Sequence, residues 1–194
     1  MRHDSLFPSF WMAGFECSSQ VHYRGRGRLD YTAFLDHDRR ADDDYALLAQ
    51  FGMRTARDGI RWHLIERRPG HFDFATVEPL RLAAERHGVQ VIWDVCHYGW
   101  PEDVDPLRPD FPERYARFAR AFAQYIKESS PAVPYYAPIN EISFLSWCTG
   151  EVAIFAPFGR GQGNTAKFNY IRAAVAGIEA IWDVEPRARL VHTD

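Results

Sequence analysis

Residues 135–141 read Tyr-Tyr-Ala-Pro-Ile-Asn-Glu, a short apolar run that ends in an amide, Asn140, followed by a carboxyl, Glu141. Such a run reads as a buried strand that delivers two polar side chains at its C-terminal end. In a barrel of alternating strands and helices, that end is where catalytic groups sit. The fold therefore turns on whether the rest of the chain supplies the alternation.

It does so on both sides. Val89–Val95 (VQVIWDV) is β-branched and nearly continuous, as expected of a parallel strand covered on both faces. It leads into Cys96-His97-Tyr98-Gly99-Trp100-Pro101, a loop of polar and aromatic groups. Asp110 and Glu113 then have capping-box spacing. Tyr115, Phe118, Phe122, Tyr125 and Ile126 recur on one helical face. Further upstream, Met53–Trp62 reads as a strand with Arg57 and Asp58 inside it. Glu78–His87 reads as a helix with Pro79 in its first turn and Gly88 as its cap. Asp42-Asp43-Asp44 open an earlier helix, with Tyr45, Leu48 and Ala49 on one face and Gly52 to end it. Phe10–Cys17 is the first strand candidate, followed by Ser18-Ser19-Gln20.

Downstream of Glu141, a long loop holds Trp147, Glu151 and the glycines Gly159, Gly161 and Gly163. A helix starting near Asn164 or Thr165 has Phe168, Ile171, Val175, Ile178 and Trp182 as its expected buried stripe. Ala188–His192 begins a fifth strand. The order is βαβαβαβαβ, which implies a parallel sheet. A complete (β/α)8 barrel takes roughly 250 residues. The order fits a five-stranded open sheet or the front half of a barrel; the second is the expected fold, α/β, the N-terminal half of a TIM barrel from its first strand to its fifth. Residues 1–194 would form a partial catalytic domain, truncated at that strand. Its open edges would invite association if it were made alone.

Composition bounds the function. The chain is 46% hydrophobic and 25% charged, ordinary for a soluble globular protein. A net charge of −3 offers no general attraction to nucleic acid or anionic membrane. Arg24, Arg26 and Arg28 read as a solvated loop. Cys17, Cys96 and Cys148 are widely spaced, so neither a zinc site nor a disulfide framework is indicated. No cofactor or metal is expected. The first nine residues lack a signal-peptide pattern, no run approaches membrane-span length, and a cytoplasmic protein is expected. Aromatic residues at 15% of the chain suit a core and also a carbohydrate site.

Four segments together resemble family 1 glycoside hydrolases, the β-glucosidase type. Phe10–Gln20 is similar to that family's first strand, which ends in a glutamine. Ala56-Arg57-Asp58-Gly59-Ile60-Arg61-Trp62 resembles its Tyr-Arg-Phe-Ser-Ile-x-Trp run. Cys96-His97-Tyr98-Gly99-Trp100-Pro101 resembles its His-aromatic-x-x-Pro loop. Ile139-Asn140-Glu141 resembles its Asn-Glu-Pro motif. The order and spacing agree over essentially the whole chain. The departures are Ile142 for proline, Asp58-Gly59 for Phe-Ser, and Pro138 inside the fourth strand. The family's nucleophile follows a seventh strand, which this sequence does not contain.

The resemblance implies a retaining glycosidase. Cleavage needs an acid at the leaving oxygen and a carboxylate on the other face of the sugar. Glu141 would be the acid/base, its pKa raised by partial burial and by the nucleophile's charge. Asn140 would hydrogen-bond the sugar 2-hydroxyl, and Gln20 and His97 other hydroxyls. Arg57 would face the nucleophile. Trp100, Trp62 and Trp147 would present flat faces to sugar C–H groups.

Other readings of the same residues stay open. Arg57 could pair with Asp58 or Asp94, and Glu151 could serve as a local second carboxylate. Gly159–Gly163 mimics a phosphate-binding loop ahead of a helix. A non-catalytic carbohydrate-binding barrel is the alternative function.

Overall fold

The computed structural model describes residues 6–22 and 27–194. Arg24 and Arg26 lie outside the described residues. Five parallel strands form one sheet in the order β1 (Ala13–Gly14), β2 (Thr55–Gly59), β3 (Gln90–Asp94), β4 (Tyr135–Ala137) and β5 (Arg189–Leu190). Spatial order equals chain order, as it does when each crossover returns the chain one strand along a growing barrel wall. The crossovers carry α1 (Tyr31–Phe34) and α2 (His37–Gln50), then α3 (Trp62–Ile65) and α4 (Glu78–Arg86), then α5 (Phe111–Ser129). Between β4 and β5 come α6 (Ile142–Ser146), a π-helical turn (Trp147–Glu151) and α7 (Gly163–Val184).

Alternation along the strands separates two apolar clusters. Ala56, Trp93 and Tyr136 face the helices and join the main core. There Trp62 stacks on Phe118 at 4.6 Å. Ile92, Tyr135 and Ala137 face the opposite side, with Phe7 and Val191 packed on them. In a closed barrel that second face is the interior.

Several expectations need correction. The first strand pairs only through Ala13 and Gly14. Phe10, Trp11 and Met12 are exposed rather than buried, because they precede the stretch that has a partner in β2. The helix α2 starts at His37, not at the aspartates. The capping box does not form: Asp110 makes no side-chain cap, and its carboxylate accepts from Arg108 instead. Arg28 is not simply solvated, since it donates to the carbonyls of Ser19 and Trp100.

The largest correction concerns α7. Phe168, Ile171, Val175 and Trp182 are exposed, and Ala166, Tyr170, Ala173, Gly177, Ala180 and Ile181 form the buried face. Small residues let α5 approach closely. A Cβ at Gly177 would lie 2.4 Å from the Tyr115 ring, so the helix packs through its small side chains and leaves the larger ones outside.

Candidate active site

Strand alternation puts Arg57 and Asp58 on opposite faces of β2. Asp58 faces the helices, fully buried. It accepts from His37 Nε2 at 3.0 Å and from the Tyr45 hydroxyl at 2.9 Å. His37 Nδ1 lies 2.7 Å from Asp44. Burial opposes charge on His37, but Asp58 and Asp44 outweigh it and raise its pKa. Asp58, which departs from the family pattern, is thus a structural anchor for α2.

Arg57 faces the other way and pairs with Asp94, its Nε lying 2.9 Å from Oδ2. Burial weakens the guanidinium's hold on its proton, and Asp94 more than restores it. The same guanidinium donates to the amide oxygen of Asn140. That oxygen also accepts from the Thr193 hydroxyl at 3.0 Å. The Asn140 amide nitrogen lies 3.0 Å from His97 Nε2 and 2.9 Å from the Tyr98 hydroxyl. All the hydrogen-bonding positions of this amide are therefore taken. His97 Nδ1 lies 3.1 Å from Asp94 Oδ2. Arg57, His97 and Asn140 come together as the sequence suggests, and Asp94 joins them.

Glu141 follows with a left-handed backbone, φ +45°, a conformation that costs a non-glycine residue and recurs at functional sites. Two backbone bonds hold it there: its N–H donates to Thr193 O at 2.9 Å, and its carbonyl accepts from Leu145 at 2.8 Å. The expected partial burial of Glu141 is not found; it is exposed. The Tyr98 hydroxyl donates to Glu141 Oε2. Burial and this carboxylate together push the Tyr98 phenol well above its ordinary pKa, so it remains a donor.

Two glycines bring the end of the first segment against this cluster. A Cβ at Gly59 would lie 2.2 Å from Cys17 Sγ, and one at Gly99 1.9 Å from Ser19 Oγ. Cys17 Sγ consequently lies 3.1 Å from His97 Nδ1. Cys17, Asp94 and His97 have the spacing of metal ligands. Their surroundings do not fit a cation, because the Arg57 guanidinium, bonded to Asp94 Oδ2, already sets a positive charge beside them. Burial, with Asp94 beside it, also keeps the Cys17 thiol protonated.

The remaining candidates are less central. Gln20 is buried, its Nε2 3.4 Å from His22 Nε2, and among the described residues its Oε1 has no partner. Trp100 is only 5% exposed, with its ring against Phe111 and Tyr170. Trp62 is wholly buried. Trp62 offers no free face to a sugar, because its ring fills the core beside α5, whereas Trp100 lines a cavity of about 290 Å³ with Arg28, Tyr98 and Glu102. Trp147 is exposed and packs beside Phe144, which in turn packs on Tyr98. The sequence reading gave no role to Tyr98 or Phe144.

Glu151 accepts from Gly163 N–H at 3.1 Å. It thus fills the N-terminus of α7, which the glycine-rich loop would otherwise offer to a phosphate. A cavity of about 550 Å³ opens at the start of β3 and β4 between Val89, Gln90, Pro134 and Tyr135, and no residue of the Asp94–Glu141 cluster lines it.

No protein-family model matches the sequence, and no curated protein matches it either. Solved structures do match the fold. The chain superposes on the virulence factor SghA, solved with its substrate analogue salicin, at a TM-score of 0.70 and 20% identity, covering 80% of this chain and 36% of that one. On the family 1 β-glucosidase from Thermotoga maritima the TM-score is 0.73 at 15% identity, covering 81% of this chain and 38% of that one. On the AHE enzyme from Alicyclobacillus herbarius it is 0.72 at 17% identity, covering 80% and 36%. The fold is that of the N-terminal part of TIM-barrel glycosidases, including family 1 β-glucosidases. The chain spans little more than a third of the length of these structures. Among the described residues, no helix is long and apolar enough to cross a membrane.

Proposed function

We propose that this chain carries the acid/base half of a retaining glycoside hydrolase site, with residues 1–194 forming part of the catalytic barrel. The observation that supports this most is Glu141 itself. It stands exposed at the C-terminal end of β4, in a left-handed backbone, beside an Asn140 tied to Arg57 and His97. That is the end of the strands on which barrel enzymes act.

In this reading Glu141 protonates the leaving-group oxygen and later deprotonates the water that releases the sugar. A second carboxylate, from outside this chain, attacks the anomeric carbon. Asn140 acts as a brace between Arg57 and Tyr98, and it reaches a sugar hydroxyl only by giving up a present partner such as Thr193. Gln20 Oε1, buried and without a partner among the described residues, suits a sugar hydroxyl donor. Exposed Trp147 and Phe144 supply the apolar surface. The test is hydrolysis of aryl glycosides of graded leaving-group acidity by the full-length protein and by Glu141→Gln. The variant should fail increasingly as the leaving group becomes poorer; equal loss across the series would refute the assignment.

A second reading is favoured by a specific observation. Asp94 occupies the Arg57 guanidinium, and the Asn140 amide is saturated. Both would suit a barrel that binds carbohydrate without cleaving it.

A further inference from the structure

The neighbours of Asn140 fix which way its amide points. Arg57 has only donors, so the amide oxygen must face it. The amide nitrogen then faces His97 Nε2 and the Tyr98 hydroxyl. A bond from that nitrogen needs a lone pair on Nε2, so the imidazole proton sits on Nδ1. Its hydrogen-bond partner is Cys17 Sγ, 3.1 Å away, and Asp94 Oδ2 lies 3.1 Å from the same nitrogen as a charge contact. The Tyr98 oxygen accepts from Asn140, so the one phenolic proton goes to Glu141 Oε2. Each direction follows from the one before, beginning at the Arg57 guanidinium, which the wholly buried Asp94 holds in place.

We infer that Asp94 is the positioning residue of this site. By holding Arg57 on one oxygen, with His97 Nδ1 beside that oxygen, it sets Asn140, Tyr98 and Glu141 as a one-way chain of hydrogen bonds. Glu141 Oε2 is thereby an acceptor, and the proton that Glu141 transfers is carried on Oε1. This last consequence rests on Glu141 as the acid/base; the roles of Asp94 and His97 do not. A metal on Cys17, Asp94 and His97 would require the opposite imidazole, with Nδ1 free of its proton, so the two ideas make contrary predictions.

The test is 15N NMR of the protein labelled at histidine, with His97 assigned by its absence from His97→Gln. The wild type should carry the proton on Nδ1 and leave Nε2 unprotonated. Asn140→Asp places an oxygen opposite Nε2 and should move a proton onto it. Asp94→Ala frees Arg57 and should replace the single tautomer with an average. Asp94→Asn, which keeps an acceptor, should hold it. In the full-length protein, Asp94→Ala should lower kcat more than tenfold with KM little changed, and Asp94→Asn should recover part of that loss. A wild-type proton on Nε2, an Nε2 that stays unprotonated in Asn140→Asp, or an unaltered tautomer in a folded Asp94→Ala would overturn the inference. So would a thiolate–metal absorption band on adding one equivalent of Co²⁺. If the tautomers behave as stated while the full-length protein cleaves no glycoside, Asp94 keeps its place and the hydrolase reading falls.

Discussion

The hydroxyl of Tyr98 bridges Asn140 and Glu141, accepting from the amide of one and donating to Oε2 of the other. Both Tyr98 and Glu141 have left-handed backbones. Two strand ends, β3 and β4, thus meet through one phenol, and the carboxyl is aimed by a residue from the neighbouring strand.

Removing that phenol should therefore disturb the acid/base more than the fold. A hydrogen bond to a charged group contributes about 1.5–3 kcal/mol, or roughly ten- to a hundredfold in rate. Tyr98→Phe in the full-length protein should lower kcat by about that factor while KM changes little. Steady-state kinetics on an aryl glycoside checks this. An unchanged kcat would remove Tyr98 from the site.

The His37 cluster makes stability depend on pH. Its folded pKa is raised, chiefly through Asp58 and Asp44 acting against burial. The protonated form is therefore favoured by folding. This contribution is complete below the unfolded value of about 6.5 and is lost as pH rises through the higher folded one. Melting temperature should decline over that window in the wild type. Asp44→Asn should flatten the decline, and melts across a pH series compare the two.

Close approach at Gly59 can be tested by filling it. Gly59→Ala drives a methyl into Cys17, and overpacking of this kind costs about 1–3 kcal/mol. Cys17→Ala in the same chain removes Sγ but not Cβ, which lies 2.6 Å from the added atom. The double variant should recover part of the loss, and chemical denaturation of all four chains measures the coupling.

The two faces of α7 should respond oppositely to truncation. Tyr170 is wholly buried and Phe168 is exposed. Tyr170→Ala should cost about 3–5 kcal/mol, as large aromatic truncations in cores do. Phe168→Ser should stay within about 0.5 kcal/mol. Denaturant midpoints decide, and a reversed order would restore the face expected from hydropathy.

That reversal marks where sequence reading stopped. Strands such as Val89–Val95 announce themselves, because a strand buried on both faces is apolar throughout. The ends of β2, β3 and β4 were equally legible, since position in a parallel sheet brings Arg57, His97 and Asn140 to one edge. Size on α7 was not legible as contact: alanine and glycine carry little hydropathy, yet they set how near α5 can come. Phe10–Met12 looked like a strand because pairing partners are not written in a run's own composition. Asp94 and Tyr98 were visible as residues, but their roles arise from a hydrogen-bond chain across three strands, which no local pattern records.

The most direct measurement is azide rescue of Glu141→Gln in the full-length protein, using an aryl glycoside with a good leaving group. Such a substrate needs no acid for departure, so the covalent intermediate should form and then wait for a base. Azide needs no deprotonation and should restore turnover, yielding a glycosyl azide of retained configuration. A Glu141→Gln protein with undiminished activity on poor leaving groups, or one that azide cannot rescue, would contradict Glu141 as the acid/base.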